Sequence, residues 1–422
     1  MLIILTALLL TIPYYSPAIY SSAWISFIPF FYYLYRFKGK NLNYRKVFLS
    51  GWALGFFIFS FSANFLYHSI KLYTSASFLV IILLLAVLFG LLSLIYGLFI
   101  LLYFYLQRQI FAENKFSPLL FAAIWTALEF SRHQLLFFFP VANPAYTQSV
   151  FIEFIQLAEF GGSWILIFIL VYVNALLFQL LFQRKYKNMI IIALIFILIF
   201  SFGTYKKNFY SAVNRSKKTE IGIITSNISQ KNKWSSQYLE KNINLLINAA
   251  SKLNETQLVI APETNLTFDL KADEYYRKKL LSRIKQKLAA PVQLGSLAVK
   301  SGFQKRFNSS FLISKNAEVI ARYNKNLLLY FGERFPYEDL INKITPYNFS
   351  SLKAGKENKI FNYNNLSWKT VICSEILYPE YVRADSQSTD FIVNQTNEAW
   401  FKNSELLKNL MWQAAVIRAV EN

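Results

Sequence analysis

Hydrophobic residues are distributed unevenly along the 422-residue chain. In the first half, long apolar runs follow one another, and most have the length needed to cross about 30 Å of hydrocarbon as a helix. The first run is short, and Pro13 and Pro17 break the apolar stretch there. A signal peptide is not expected, because no basic segment follows Met1 and further apolar runs come at once. The pattern predicts seven membrane spans, at 2–17, 18–35, 47–67, 77–106, 117–139, 151–183 and 189–205.

From about residue 219 the pattern changes to short runs rich in Val, Ile, Phe and Tyr, which alternate with segments of helical periodicity. Such alternation is typical of helices packed on sheets, so an α/β domain is predicted. We expect strands at 220–228, 257–263, 291–299, 307–314, 318–324, 366–373 and 390–396. We expect helices at about 236–253, 272–289 and 403–420, and a hairpin turn at 314–317. One apolar face of the last helix comprises Leu406, Leu407, Leu410, Met411, Ala414 and Ile417.

Charged residues are also distributed differently in the two halves of the chain. Residues 1–204 contain 12 Lys and Arg and only 4 Asp and Glu, whereas residues 205–422 contain 32 and 19. The predicted organisation is therefore a polytopic membrane domain at 1–204, a linker at 205–218 and an α/β domain at 219–422. The basic second half suits the surface of an anionic bilayer. It does not indicate nucleic-acid binding, since no basic groove motif with interleaved aromatic residues accompanies it.

The loops between the predicted spans indicate how the chain crosses the membrane. The loops at 36–46, 107–116 and 184–188 carry five, two and three basic residues, while those at 68–76 and 132–150 carry one each. Basic residues in short loops are retained in the cytoplasm. This pattern places the N-terminus in the cytoplasm and the second half of the chain outside it.

Three ionisable residues stand at or near the ends of predicted strands: Glu263, Lys325 and Cys373. Taken singly, a lone cysteine in an apolar strand is most often a small buried hydrophobe, and a lone Glu or Lys is most often solvated. Together they provide a base, an oxyanion support and a nucleophile, which are the parts of an acyl-transfer site. A cysteine nucleophile needs such partners, because the thiolate is the reactive form.

Several other chemistries lack the residues they need. The sequence contains no G-x-S-x-G, no phosphate-binding GxxxxGK[ST] and no HExxH motif. Its two histidines, His68 and His133, both lie in the predicted membrane half. A Cys–His dyad in the α/β domain is therefore excluded, which leaves Glu263 as the expected base for Cys373. A single cysteine also excludes an intramolecular disulfide.

The order and flanks of these residues resemble the nitrilase superfamily, and the whole chain resembles the apolipoprotein N-acyltransferases. In the first half the resemblance rests on WTALEFSR (125–132), the Asn143-Pro144 loop and FIQLAEFGGSWILIFILVYVNALLF (154–178). In the second half it rests on Lys233-Trp234, APET, YNKNLLLYFGERFP, ICSEILYPEYVR and NQTNEAWF. The resemblance implies an α-helical polytopic membrane domain followed by an extracytoplasmic, nitrilase-like αββα sandwich.

A ping-pong reaction is what the resemblance implies. Glu263 would deprotonate Cys373, whose thiolate would take an acyl chain from a membrane phospholipid while Lys325 stabilises the oxyanion. The thioester would then acylate the N-terminal amine of a diacylglyceryl-cysteine apolipoprotein. The implied partners are the phospholipid, the apolipoprotein and the bilayer, without a metal, a cofactor or nucleic acid. The implied location is the bacterial inner membrane, with the catalytic domain on the periplasmic side.

Further residues carry over from the same motifs. Glu333 and Glu375 correspond to supporting glutamates, although either could equally form a structural ion pair. Trp234, Asn397 and Trp400 correspond to substrate-contacting residues, and Trp234 could instead be an ordinary packing residue. On the membrane side, Glu129 and Arg132 are expected to pair with each other or line a polar cavity, because isolated charges are costly in hydrocarbon.

Two other functions remain open on the sequence alone. The first is a membrane-tethered amide or nitrile hydrolase, in which water rather than an amine resolves the thioester. The second is an inactive lipid- or lipoprotein-binding protein, because members of the family continue beyond the position of Asn422 and the chain is expected to be C-terminally incomplete. The presence of Glu263, Lys325 and Cys373 together favours the acyltransferase.

Overall fold

The computed structural model describes residues 1–35, 43–74, 76–110, 116–135, 140–213, 218–225, 228, 230–299, 306–330, 332–334, 337–344, 350–357, 359–401 and 404–422. The chain divides into two compact units. The helical unit comprises Met1–Val213 together with Phe401–Asn422, and the α/β unit comprises Asn214–Trp400.

The helices are α1 (Leu2–Tyr15), α2 (Ile28–Tyr35), α3 (Tyr44–Ser62), α4 (Phe65–Tyr73), α5 (Phe78–Leu92), α6 (Leu94–Ile110), α7 (Pro118–Leu135), α8 (Ile152–Ile155), α9 (Ala158–Gln183), α10 (Lys187–Val213), α11 (Gln230–Lys233), α12 (Leu239–Ser251), α13 (Glu274–Lys287), α14 (Glu338–Ile344), α15 (Pro379–Arg383) and α16 (Glu405–Glu421). The strands are β1 (Ile221–Ile223), β2 (Leu258–Ile260), β3 (Leu266–Asp269), β4 (Val292–Val299), β5 (Arg306–Ile313), β6 (Val319–Asn324), β7 (Ile360–Tyr363), β8 (Leu366–Ile372) and β9 (Phe391–Gln395).

Every apolar run predicted to cross the membrane contains helix, but the helices differ in length. Three stretches are long and apolar enough to span a bilayer: Phe78–Ile110, Ala158–Gln183 and Lys187–Ser211. A fourth is obtained if the bent pair Tyr44–Ser62 and Phe65–Leu72 is counted as one span. Length and composition thus support three or four spans in the described part of the chain, and the count of seven stays a prediction.

The charges on α7 are paired, as expected. Arg132 is fully buried and contacts Glu129 Oε2 through Nε at 3.0 Å and Nη2 at 2.7 Å. Arg132 Nη1 also donates to the carbonyl of Val141 at 2.8 Å, and Glu129 Oε1 accepts from the Tyr96 hydroxyl at 3.1 Å. Because each charge keeps several hydrogen bonds, the desolvation cost of burying the pair is offset.

Helix α16 packs within the helical unit, where it contacts α1, α9 and the segment Pro144–Gln148. All six residues of its predicted apolar face are buried. The carbonyl of Pro13 would normally accept a hydrogen bond from residue 17, but Pro17 has no N–H. Gln413 of α16 supplies the missing donor through Nε2 at 2.8 Å.

The end of α16 meets a break in α9. Gly161 and Gly162 have non-helical backbone angles, with a φ of +63° at Gly162. The amide of Ser163, just after the break, donates to Glu421 Oε1 at 2.5 Å. Glu421 also pairs with the buried Arg418, whose Nε lies 2.9 Å from Glu421 Oε2. The carboxylate therefore supplies an acceptor to the amide that follows the break in α9.

The α/β unit contains two sheets. The larger has the order β1-β2-β4-β5-β6, with β3 also paired to β4, and the smaller has the order β7-β8-β9. Strands β1, β2 and β4 run parallel, whereas β4, β5 and β6 are antiparallel neighbours. In the smaller sheet β8 is antiparallel to β7 and parallel to β9.

Alternate residues of the large sheet face two different cores, as the two-residue period of a strand requires. Val259 and Phe311 pack in one core with residues of α12 and α13, such as Ile243 and Ile284. Their chain neighbours Leu258 and Leu312 belong to a second core, together with Tyr323, Phe361, Trp368, Ile372 and Val393. The unit is thus built as helices, a large sheet and a small sheet in successive layers.

All seven predicted strands and the three predicted helices are present, and the hairpin turn at 314–317 joins β5 to β6. Strands β3 and β7 were not predicted. The division into units also differs from the expected boundaries of 204/205 and 218/219 in two respects. Helix α10 continues to Val213, and α16 joins the helical unit because its apolar face meets α1 and α9.

Candidate active site

Cys373 follows β8 directly and begins a short 3-10 helix, Cys373–Leu377. Its backbone has a φ of +51°, in the left-handed region that residues with a side chain rarely adopt. Strain of this kind, on the order of 1–3 kcal/mol, persists only where the surroundings hold the residue in place, and it concentrates at functional sites. Because the chain turns sharply at the end of the strand, Cys373 does not continue the alternation of side chains along β8.

Glu263 lies on the turn that follows β2, next to Thr264, which has a φ of +42°. The turn lies directly against β4 at Gly295. A Cβ atom on Gly295 would come within 2.6 Å of the Pro262 carbonyl oxygen and 2.8 Å of the Glu263 carbonyl carbon. A glycine is therefore required there for the turn to approach the sheet.

Lys325 comes directly after β6, and its side chain is 1% exposed. Its Nζ lies 2.7 Å from Glu333 Oε2 and 4.0 Å from Glu263 Oε1. The backbone is held as well, since the Lys325 amide donates to the Asn308 carbonyl and the Gly355 amide donates to the Lys325 carbonyl, both at 2.8 Å. The ammonium therefore has a fixed position between two carboxylates.

Asn308 of β5 links the same two carboxylates. Its Nδ2 donates to Glu263 Oε1 at 2.7 Å and to Glu333 Oε1 at 2.8 Å. Glu333 Oε2 additionally accepts from the amide of Leu329 at 2.9 Å. Glu263 Oε2, by contrast, is buried with no hydrogen-bond partner among the described residues. One oxygen of the expected base is thus held while the other is free to take a proton.

Glu375 is fully buried and connects the strand end at Cys373 to the segment after Lys325. Its Oε2 accepts from the Ile372 amide and the Tyr323 hydroxyl, each at 2.7 Å. Its Oε1 accepts from the amides of Asn326 at 2.7 Å and Leu327 at 3.0 Å. A single carboxylate therefore positions the backbone on both sides of the site.

The charges act on one another across the cluster. Burial raises the pKa of the Cys373 thiol well above its usual value, the carboxylates of Glu263 and Glu333 raise it further, and Lys325 opposes them. Burial also raises the pKa of Glu263, again against the effect of Lys325. Burial alone would lower the pKa of Lys325, but Glu333, Cys373 and Glu263 together hold it above its ordinary value. At rest the site therefore holds a thiol and an ammonium, with a carboxylate of increased basicity.

The remaining predicted residues are not all described. Trp234 is 42% exposed, and Asn397 is half-buried. The side chain of Trp400 lies outside the described part of the chain. Contact of these three with a substrate stays a prediction. Among the described residues, no group of three or more His, Cys, Asp or Glu side chains could hold a metal ion.

Two residues of the cluster were given no role from the sequence. Asn308 looks like any polar residue of an alternating strand, and only the register of β5 with β4 and β6 brings it beside Glu263. In the sequence, Lys233 stands in a basic segment and is part of the Lys233-Trp234 motif. In the structure it is buried beside the turn that carries Glu263. Neither residue type nor local spacing distinguishes them from solvated residues.

Both halves of the chain match known families. Residues 6–176 match the apolipoprotein N-acyltransferase N-terminal domain, and residues 221–422 match the carbon-nitrogen hydrolase family. An apolipoprotein N-acyltransferase from Geobacter metallireducens is 27% identical over 99% of this chain and 81% of its own length. The enzyme of that name from Aquifex aeolicus is 28% identical over 94% of this chain and 87% of its own length. An amidase from Nesterenkonia sp. of known structure aligns with 43% of this chain and 66% of its own, at 15% identity and a TM-score of 0.33.

Proposed function

We propose, from the premise that the chain belongs to the apolipoprotein N-acyltransferase family, that its α/β unit carries out lipoprotein N-acylation through Cys373. The enzyme is an acyltransferase that moves an acyl chain to the N-terminal amine of an apolipoprotein. The observation that carries the assignment of the site is the buried cluster in which Glu263 and Lys325 both act on the Cys373 thiol.

The first half-reaction begins with the thiol, because burial and the neighbouring carboxylates keep Cys373 protonated at rest. Glu263 removes the Sγ proton as sulfur attacks the ester carbonyl carbon of a membrane phospholipid. The Lys325 ammonium stabilises the negative charge that develops on the carbonyl oxygen. Collapse of the tetrahedral intermediate breaks the ester C–O bond, and Glu263 returns the proton to the leaving lysophospholipid. The product is a Cys373 thioester.

The second half-reaction uses the same groups in reverse. The α-amine of a diacylglyceryl-cysteine attacks the thioester carbonyl, and Glu263 accepts a proton from the amine. The C–S bond breaks, and the sulfur recovers a proton from Glu263. Glu333 and Asn308 contribute by holding Lys325 and Glu263, with contacts of 2.7–2.8 Å. We propose that Trp234, Asn397 and Trp400 contact the substrates, with Trp234 near the acyl chain.

Mass spectrometry of the intact protein tests this function. After incubation with phospholipid vesicles, the protein should gain the mass of one acyl chain, and a diacylglyceryl peptide should then remove it. Cys373→Ala should prevent the adduct, and Glu263→Gln and Lys325→Ala should slow its formation by about a hundredfold. Exposed Glu380→Gln on α15 serves as the matched control. An adduct that persists in Cys373→Ala would exclude this nucleophile, and release by water as fast as by peptide would indicate a hydrolase.

The membrane arrangement is a separate proposal. The chain is a membrane protein, and we propose seven spans, a cytoplasmic N-terminus and an extracytoplasmic catalytic unit with the αββα arrangement in a bacterial inner membrane. This rests on the basic loops at 36–46 and 184–188. In a Cys373→Ala background, cysteines introduced at Lys40 or Lys187 should react only with membrane-permeant reagents, while one at Lys217 should react with an impermeant reagent. Protection of position 217 in intact cells would contradict the orientation.

A further inference from the structure

Lys233 is a buried lysine that contacts the turn carrying Glu263, and its exposed fraction is only 6%. Its Nζ donates to the Glu263 carbonyl oxygen at 3.3 Å and to Thr264 Oγ1 at 3.2 Å. Its own carbonyl accepts from Thr267 Oγ1 at 3.0 Å. Lys233 is therefore attached to the segment 263–267 through both its side chain and its backbone.

The turn that Lys233 contacts is one that needs support. Thr264 has a positive φ, and Gly295 allows the turn to lie directly on β4. Among the described residues, the Glu263 carboxylate accepts a hydrogen bond at Oε1, from Asn308, and none at Oε2. The position of the other oxygen therefore depends on how firmly the backbone of the turn is held. Lys233 supplies two hydrogen bonds for this purpose from outside the sheet.

Charge gives Lys233 a second effect on the same residue. Its ammonium favours the ionised form of Glu263, in the same direction as Lys325 and against Glu333. Burial lowers the pKa of Lys233 to about 8, and the Glu263 carboxylate opposes this. The charged and titratable groups that act on Glu263 are thus Lys233, Lys325 after β6 and Glu333, with Cys373 beside them.

We propose that Lys233 is a positioning residue for the proposed acyl transfer, which fixes the turn that carries Glu263 and places an ammonium beside it. The inference rests on the proposed function only in so far as Glu263 is the base. Lys233 also stands immediately before Trp234 in the chain. It therefore connects the segment that is predicted to contact the acyl chain with the turn that carries the proposed base. No substrate contact is required of Lys233 for either effect.

The pH dependence of Cys373 reactivity tests the proposal. The rate of alkylation by iodoacetamide and the rate of acyl-adduct formation from phospholipid vesicles would each be measured between pH 5 and 9 on the full chain in detergent. Lys233→Met removes the positive charge, so both profiles should move to higher pH by at least about 0.3 unit. Lys233→Arg keeps the charge and should restore the native acid limb, at pH values below the Lys233 pKa of about 8. Lys241→Met on α12, at an exposed lysine, is the matched control and should not shift it.

The outcomes separate the two proposals. A rate reduced equally at every pH in Lys233→Met, without rescue by arginine, would overturn the positioning role and leave a purely structural one. If the alkylation profile shifts in a protein that never acquires an acyl chain, the positioning role of Lys233 is supported and the proposed acyltransferase site is contradicted. If Lys233→Met does not fold, the arginine variant decides the matter, since an acid limb that differs from the native one despite the retained charge overturns the proposal.

Discussion

Glu375 Oε2 accepts a hydrogen bond from the backbone N–H of Ile372 at 2.7 Å, so the residue before Cys373 is held by a carboxylate that follows Cys373 by two positions. Through its other oxygen the same side chain holds the amides of Asn326 and Leu327. The turn at Cys373 and the segment after Lys325 consequently share one anchor, and neither can shift without the loss of a hydrogen bond to a buried charge.

Replacement of Glu375 should therefore damage both stability and activity. Glu375→Ala would leave three amides and the Tyr323 hydroxyl without their acceptor, and each buried orphan costs about 1–3 kcal/mol. We expect a large fall in the thermal unfolding midpoint in detergent, and a smaller fall for Glu375→Gln, which retains one acceptor oxygen. Exposed Glu380→Gln should leave the midpoint nearly unchanged. Equal midpoints for all three variants would show that the anchor is dispensable.

The rate of acyl-adduct formation should fall at low pH, and replacement of Glu333 should shift this acid limb of the pH profile. The rate falls as Glu263 becomes protonated, and burial places the pKa of Glu263 above the usual value of about 4.3. Glu333 contributes to that increase, so Glu333→Gln should lower the pKa of Glu263 and move the acid limb to lower pH. Asp339→Asn, an exposed change on α14, should not move it. A limb displaced upwards in Glu333→Gln would contradict the assignment of Glu263 as the base.

Glu263 should also affect stability in a way that depends on pH. A carboxyl group whose pKa is raised by folding stabilises the folded state fully below its unfolded pKa, and this contribution is lost as pH rises through the folded pKa. Glu263→Gln has no charge to gain, so its unfolding midpoint should improve relative to the native protein as pH increases from about 4 to 8. Thermal unfolding of both proteins across that range measures the difference. A constant difference would mean that burial does not disfavour the ionised base.

The seven predicted strands and helices α12 and α13 of the α/β unit, together with α16 of the helical unit, were predictable because their apolar residues repeat with clear periods of two or of three to four. Strands β3 and β7 were missed because each has only four residues and mixes polar with apolar side chains. Helix α16 was predicted correctly, but an apolar face does not reveal which surface it will contact. The structure brings Glu263, Lys325 and Cys373, which were selected for their chemistry at strand ends, into one cluster, and their catalytic roles stay a prediction. Asn308 could not, since its role depends on sheet register.

Gly295 should tolerate no side chain. In Gly295→Ala the new Cβ would lie 2.6–2.8 Å from backbone atoms of Pro262 and Glu263. The turn that carries Glu263 must therefore move away from β4. We expect slower adduct formation together with reduced stability. Gly90→Ala on α5 is a suitable control, because its Cβ would meet only Trp52 at an ordinary 3.5 Å. Native rates in Gly295→Ala would show that the position of the turn is not critical.

Loss of one partner of the buried Glu129–Arg132 ion pair in α7 should destabilise the protein more than loss of both charges. Arg132→Leu leaves Glu129 buried without its cation, which typically costs about 3–5 kcal/mol. The double change Glu129→Gln with Arg132→Leu removes both charges and should recover much of that loss. The unfolding midpoints of the single and double variants in detergent give the comparison. A double variant as unstable as Arg132→Leu would imply that the lost contacts to Val141 and Tyr96 dominate instead.

The chain leaves the helical unit after Val213 and returns to it at Phe401, which makes the α/β unit an insertion tethered at both of its ends. A single protease site engineered at 214–217 would open the backbone without detaching the α/β unit, which would remain joined through its second connection. Detachment needs a second cut, near 402–403, and that cut leaves α16 with the helical fragment. A fragment that carries the α/β unit alone should therefore be designed with two boundaries rather than one, at 214 and 400.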